Sequence, residues 1–288
     1  MGALRLATRG SPQATAQATA VADAITASTG RVVELVVIET TGDVHADVPL
    51  HTIGGQGVFV KEVQTAVLDG RADIAAHSAK DLPTVPAGGL VIGAFTERRD
   101  PRDALVGLPL DSLASGATVA TGSVRRRAQL RRPRPDLEFV ELRGNIGTRL
   151  DKVPADGSIV MAVAALQILG LTERIADVLP VADFVPAVGQ GCVAVECRVA
   201  DDDTLAALAT IDHAETRRAV EIERAFLGEL GSGCSLPVGA HVVDDRLLTF
   251  LADLDSGVSI ADEVALLDDG DDIARARSAA RSAHDAVG

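Results

Sequence analysis

The chain has 288 residues, 47% of them apolar and 24% charged, enough to bury two or three cores, because single cores stop growing near ~250–300 residues. Its net charge is −14, with 27 basic against 41 acidic side chains, and it holds no Trp, no Tyr and six Phe. A surface of that sign repels polyanions and offers few stacking platforms, which argues against nucleic acid as a partner. The longest apolar run, Ile159 to Leu166, is too short for the ~20 residues of a membrane-spanning helix. The amino terminus shows no basic-then-apolar leader pattern, so a cytoplasmic protein with no membrane partner is expected. Three cysteines, at 192, 197 and 234, make neither a disulfide framework nor a zinc-ligand spacing, and no metal is expected.

In chain order, Leu4 to Thr8 reads as a strand, and Ser11-Pro12 then opens an Ala-rich helix that runs to Gly30, with Ser as N-cap and Pro in the first turn. Val32 to Glu39 reads as a second strand, Thr40 to Gly57 as a Gly-rich loop, Val58 to Asp69 as a helix and Ile74 to His77 as a buried strand. The pattern restarts with strand Ala117–Thr121, a Gly122-Ser123 turn and helix Val124–Arg132, then strands Leu137–Leu142 and Ile159–Val163. Such alternation implies α/β units with largely parallel sheets. From Ala187 a Gly-rich turn leads to a strand able to return to the first sheet. Helix Ala214–Leu230, strand-like runs Val238–Val243, Leu247–Asp253 and Val258–Leu267, and helix Asp272–Val287 make a third, α+β domain.

Charge is unevenly placed. Residues 98–149 hold eleven Arg against six acids, a local +5 that leaves −19 elsewhere. A basic island in an acidic protein points to a site for small anions. The segments Ala7 to Ser11 and Ala120 to Ser123 are similar strand-to-helix elbows, and free N–H groups at helix N-termini favour carboxylates or phosphates. His77-Ser78-Ala79-Lys80-Asp81 follows an apolar strand directly, which places Ser78, Lys80 and Asp81 where open α/β sheets bind ligands. A carboxylate beside an ammonium there can exchange protons or steady a developing cation; the plainer reading is a surface Lys–Asp pair. Gly54 to Lys61 lacks both the Walker ending and the G-x-G-x-x-G spacing, so it reads as a flexible lid. Cys192 and Cys197, in or next to an apolar strand, fit buried inert thiols, whereas Cys234 sits in a turn of small residues with room for an adduct.

Seven segments in order resemble the porphobilinogen deaminase family: Ala7 to Pro12, Gly54 to Glu62, His77 to Pro83, Arg99 to Ala104, Leu142 to Asn145 with Gly147 to Leu150, Pro186 to Gly191, and Gly233-Cys234. The resemblance implies two α/β domains like type II periplasmic binding proteins with a cleft between them, plus a small C-terminal α+β domain. The expected boundaries are 1–98 completed by 190–211, then 99–189, then 212–288. It implies a transferase that adds four porphobilinogen units head to tail with loss of ammonia, onto a dipyrromethane cofactor held through a thioether to Cys234, and then releases linear hydroxymethylbilane by hydrolysis. Asp81 matches the family's catalytic Asp. Arg9, Ser11, Ser78, Lys80, Thr121, Ser123, Arg125, Arg126, Arg143, Gly144, Arg149 and Arg174 would bind cofactor, substrate or growing chain, with Gln56 and Phe59 in the lid. Up to twelve carboxylates come to one site, and Arg forks suit them. Many relatives carry Lys at the place of Gln56 and Ser at that of Gly122. The resemblance further implies a monomer. The rival is a two-domain binding protein for a small dicarboxylate, without catalysis.

Overall fold

A computed structural model describes residues 2–40, 60–231 and 236–288. The expected lid residues Gln56 and Phe59, and Cys234, lie outside the described residues. Two compact units divide the chain, residues 1–99 with 192–218 and residues 100–191 with 219–288.

In the first unit, β1 (Leu4–Arg9), β2 (Val33–Ile38), β3 (Ile74–Ser78), β4 (Leu90–Phe95) and β10 (Val193–Arg198) form one sheet in the order β2-β1-β3-β10-β4. β1 is parallel to β2 and β3, and β10 is antiparallel to β3 and β4. The carboxyl ends of β1 to β4 therefore share one edge. Helix α1 (Pro12–Thr29) starts there, with Ser11 accepting from the Ala14 N–H at 3.3 Å, and ends at Gly30 in a left-handed conformation, φ 72°. That single cap contributes about 1 kcal/mol. α1 buries Ala18, Val21 and Ile25 against Leu4, Leu6, Ile74 and Val195. Helix α2 (Lys61–Leu68) buries Val63, Ala66 and Val67 against Ala7, Ile38 and Ala75 on the other face. Cover on both faces fits the unbroken apolar run Ile74 to Ala76 of the central strand β3, all three residues of which are buried.

In the second unit, β5 (Asp103–Gly107), β6 (Thr118–Ala120), β7 (Glu138–Val140), β8 (Ser158–Ala162) and β9 (Asp177–Leu179) are ordered β7-β6-β8-β5-β9. β6 is parallel to β7 and β8, and β5 antiparallel to β8 and β9, the same pattern of directions as in the first sheet. In each sheet the antiparallel place is taken by the first strand to arrive from the other part of the chain, β10 in one and β5 in the other. Helix α3 (Val124–Arg131) follows β6, and α4 (Ile146–Leu150) follows β7. The strand expected over Ile159–Val163 is present as β8, and the apolar run continues from Val163 as helix α5 (Val163–Ile168). A short continuous apolar run carries no period that distinguishes the two.

The remainder of the second unit is a meander of β11 (Val238–Val243), β12 (Arg246–Ala252) and β13 (Ser259–Ala265), preceded by a long helix, Ala214–Glu229, whose residues from Ala219 on belong to this unit, and followed by another, Asp272–Val287. The alternation along β12 sends Leu247 and Leu251 to Ile222, Phe226, Ala276 and Ala280, while Leu248, Phe250 and Ala252 pack on Val185. Among the described residues no helix is long and apolar enough to cross a membrane.

Candidate active site

β1 and β3 pair with Leu6 opposite Ile74 and Ala7 opposite Ala75, and that register carried two residues on sets Arg9 level with His77. Arg9 to Ser11 and Ser78 to Asp81 thus leave neighbouring strand ends at one edge. Past Ser78 the chain makes a single 3-10 turn, Ala79–Asp81. It is clamped: the Ala79 N–H donates to the Cys192 carbonyl at 3.0 Å, and Ser78 Oγ donates to Gln17 Oε1 at 3.1 Å. Lys80 and Asp81 remain half-buried on this fixed turn.

Below the turn lies a polar cluster that sequence reading missed. His77 Nε2 is 3.1 Å from Glu196 Oε2, and Gln64 Nε2 donates to both Glu196 oxygens at 3.1 and 2.8 Å. All three side chains are buried between β3, β10 and α2. The available signals were a His in an otherwise apolar strand and a Glu in the run Val193 to Cys197.

In the second unit, the Thr121 N–H donates to the Val140 carbonyl at 2.9 Å, and Thr121 Oγ1 accepts from the Ser123 N–H at 3.2 Å. Ser123 caps α3 by accepting from the Arg126 N–H at 3.4 Å. Arg143 and Gly144 leave β7 at the same edge of this sheet. Gly144 has φ 113°, and a Cβ there would stand 2.8 Å from Thr148 Cγ2, so only glycine fits without displacing that side chain. Arg149 Nε donates to the Gly144 carbonyl at 2.7 Å, and Asn145 caps α4 through the Thr148 N–H at 3.0 Å.

Arg125 and Arg126 turn inward. Asp103, fully buried, accepts from Arg125 Nη2 at 2.6 Å, Arg126 Nη2 at 2.6 Å, Arg126 Nε at 3.1 Å and Gln190 Nε2 at 3.0 Å. The remaining nitrogens reach backbone: Arg125 Nη1 to Val185 O at 2.6 Å and Arg126 Nη1 to Val160 O at 2.8 Å. Burial draws the Arg125 pKa below its ordinary value, and the Asp103 charge opposes it. Arg174 stands exposed on a single 3-10 turn ahead of β9, on none of the strand ends that carry the other residues. Cys192 and Cys197 are both buried.

The model of the "porphobilinogen deaminase, dipyromethane cofactor binding domain" matches residues 4–206, and that of the "porphobilinogen deaminase, C-terminal domain" matches residues 217–278. The chain belongs to the porphobilinogen deaminase family. Porphobilinogen deaminase of Thermobifida fusca is 49% identical over 252 residues, covering 84% of this chain and 78% of that protein. The porphobilinogen deaminase of Syntrophotalea carbinolica is 45% identical over 273 residues, covering 91% and 87%. Among solved structures, the methionine-binding protein MetQ is similar in fold at 16% identity and a TM-score of 0.47, covering 75% of this chain and 92% of that one.

The family's cofactor is a polycarboxylate, and the donor chemistry of the edges suits it. In the first unit Arg9 and Lys80 stand beside the N-terminus of α1; in the second, Arg143 and Arg149 stand beside the capped starts of α3 and α4. Cations next to helix N-termini are donors of the kind that suit carboxylates.

Proposed function

We propose that this protein is a hydroxymethylbilane synthase, joining four porphobilinogen molecules head to tail with loss of ammonia and then hydrolysing off the linear tetrapyrrole. The observation that supports it best is the clamped turn bearing Lys80 and Asp81 beside Arg9 and Ser11, in a chain matched by both domains of the family. Dipyrromethane, bound through a thioether to Cys234, supplies the free pyrrole carbon that accepts the first unit. Asp81 accepts hydrogen bonds from pyrrole N–H groups, steadies the cation left on substrate as its C–N bond breaks, and takes the proton released when the new C–C bond forms. Arg9, Lys80, Arg143 and Arg149 neutralise acetate and propionate groups. Ser11, Thr121 and Ser123 add hydroxyl contacts at the elbows, and Ser78 ties the catalytic turn to α1. Arg125 and Arg126 serve the same anions through the backbone, by fixing the second elbow on Asp103. Gln56 and Phe59 act from the lid. The enzyme works as a cytoplasmic monomer without a nucleic-acid partner; its net charge of −14 supports the last of these, because such a surface repels polyanions.

The test is the intact mass of protein made in a host that produces porphobilinogen. The reading expects an adduct of two pyrrole units, lost in Cys234→Ser. Asp81→Ala should keep the adduct and the native circular dichroism spectrum but lose turnover. An unmodified parent chain that still binds a dicarboxylate would instead support the non-catalytic binder.

A further inference from the structure

The elbow Thr121-Gly122-Ser123 carries a side chain of the wrong sign for an anion site. Glu141 follows β7 directly, and the hydrogen bond from the Thr121 N–H to the Val140 carbonyl, 2.9 Å, sets the two segments side by side. Its carboxylate lies across Gly122: a Cβ on that glycine would stand 2.7 Å from Glu141 Oε1 and 3.1 Å from the Leu142 carbonyl oxygen. Glu141 Oε2 accepts from Arg127 Nη2, and Arg127 in turn donates Nε and Nη2 to the Thr121 carbonyl at 3.0 and 2.7 Å. The carboxylate is on the surface, with 46% of its side chain exposed against 28% for Arg127. Arg143 is only two residues further along the chain. The proposed chemistry uses neither Glu141 nor Arg127.

We propose that Glu141 is a specificity-determining residue of the second elbow: a built-in carboxylate that neutralises Arg127 and moderates the hold of the α3 N-terminus on the carboxylates of porphobilinogen and its oligomers. The inference deepens the proposed function and rests on it for the identity of the ligand. The absence of a side chain at residue 122 is what lets the carboxylate lie there. Removing the charge as Glu141→Gln leaves Arg127 fastened to the Thr121 carbonyl with its cation uncompensated, so the elbow attracts anions more strongly.

The experiment measures KM and kcat of the holoenzyme for porphobilinogen. Alongside, calorimetry measures binding of a pyrrole that bears acetate and propionate but no aminomethyl group. At low salt Glu141→Gln should lower both KM and the probe's Kd by roughly two- to fivefold, the range of an exposed ion pair, with kcat nearly unchanged. Arg127→Gln should raise both constants, and the double variant should return close to the parent. The gap between Glu141→Gln and the parent should close in about 0.5 M salt, where charges more than a few ångströms apart are screened. Unchanged or raised constants in Glu141→Gln at low salt would overturn the proposal, as would a gap that persists undiminished at high salt. If the parent chain makes no tetrapyrrole, the proposed function fails, while the calorimetric comparison still decides whether Glu141 opposes anion binding.

Discussion

Asp103 is the residue whose neutralisation should cost this fold most. It is fully buried, and two guanidinium groups with side chains only 5% and 9% exposed depend on it for charge balance. In Asp103→Asn the side chain keeps its shape, but Arg125 and Arg126 keep their charges in an interior that no longer compensates them. Removing one partner of a buried ion pair costs about 3–5 kcal/mol. For a cooperative unit of this size, at about 2–4 °C per kcal/mol, the melting temperature should fall by roughly 6–20 °C. Without Trp or Tyr the melt is best followed by far-UV circular dichroism. Asp136→Asn is the control, since Asp136 meets Arg134 at the surface, with side chains 32% and 21% exposed, where ion pairs contribute little. If Asp103→Asn melts no lower than that control, the cluster is not what holds the second elbow, and Arg125 and Arg126 must be accounted for in another way.

Burial, with the nearby Asp201 charge, pushes the Cys197 thiol up to about 11. Iodoacetamide at about pH 8 should therefore leave Cys197 intact in the native protein and modify it only after unfolding, because the thiolate is the reactive form; peptide mapping that finds it alkylated in native protein would contradict this. The Asp73 carboxyl is drawn upward by partial burial, but hydrogen bonds from Arg5 and Arg198 outweigh this and hold it below its ordinary 3.8. A depressed folded-state pKa gives stability that is complete above the unfolded value and fades as pH falls through the folded one. The gap in melting temperature between the parent and Asp73→Asn should accordingly stay constant from neutral pH down to about 5 and narrow below about 4; a gap that widens in acid would refute the assignment.

Much of the architecture was legible because local signals agreed with one another. Ser11-Pro12 and Gly30 bracket α1 as expected, and β11 and the last helix match their expected spans residue for residue. β4, β5 and β9 gave no comparable signal: β9 is three residues long, and β5 starts within the charged segment Arg99 to Ala104. The candidate site was legible as types of residue at strand ends, since a strand followed by a polar turn predicts which edge the turn occupies. Side-chain direction was not. Arg125, Arg126 and Arg127 are consecutive, yet the first two enter the core toward Asp103 and the third lies back on the Thr121 carbonyl beside Glu141.

By itself the sequence determined the alternation of strands and helices, the excess of acid outside a basic window, and the cations placed at the starts of helices. These follow from period, capping and composition, which act over a few residues. Only the tertiary structure decided which charges are spent inside the protein. Asp103 meets partners 22, 23 and 87 positions away, and Glu196 meets Gln64 across 132. Whether a charge faces water or a buried partner depends on packing between elements distant in the chain, and no local pattern records that distance.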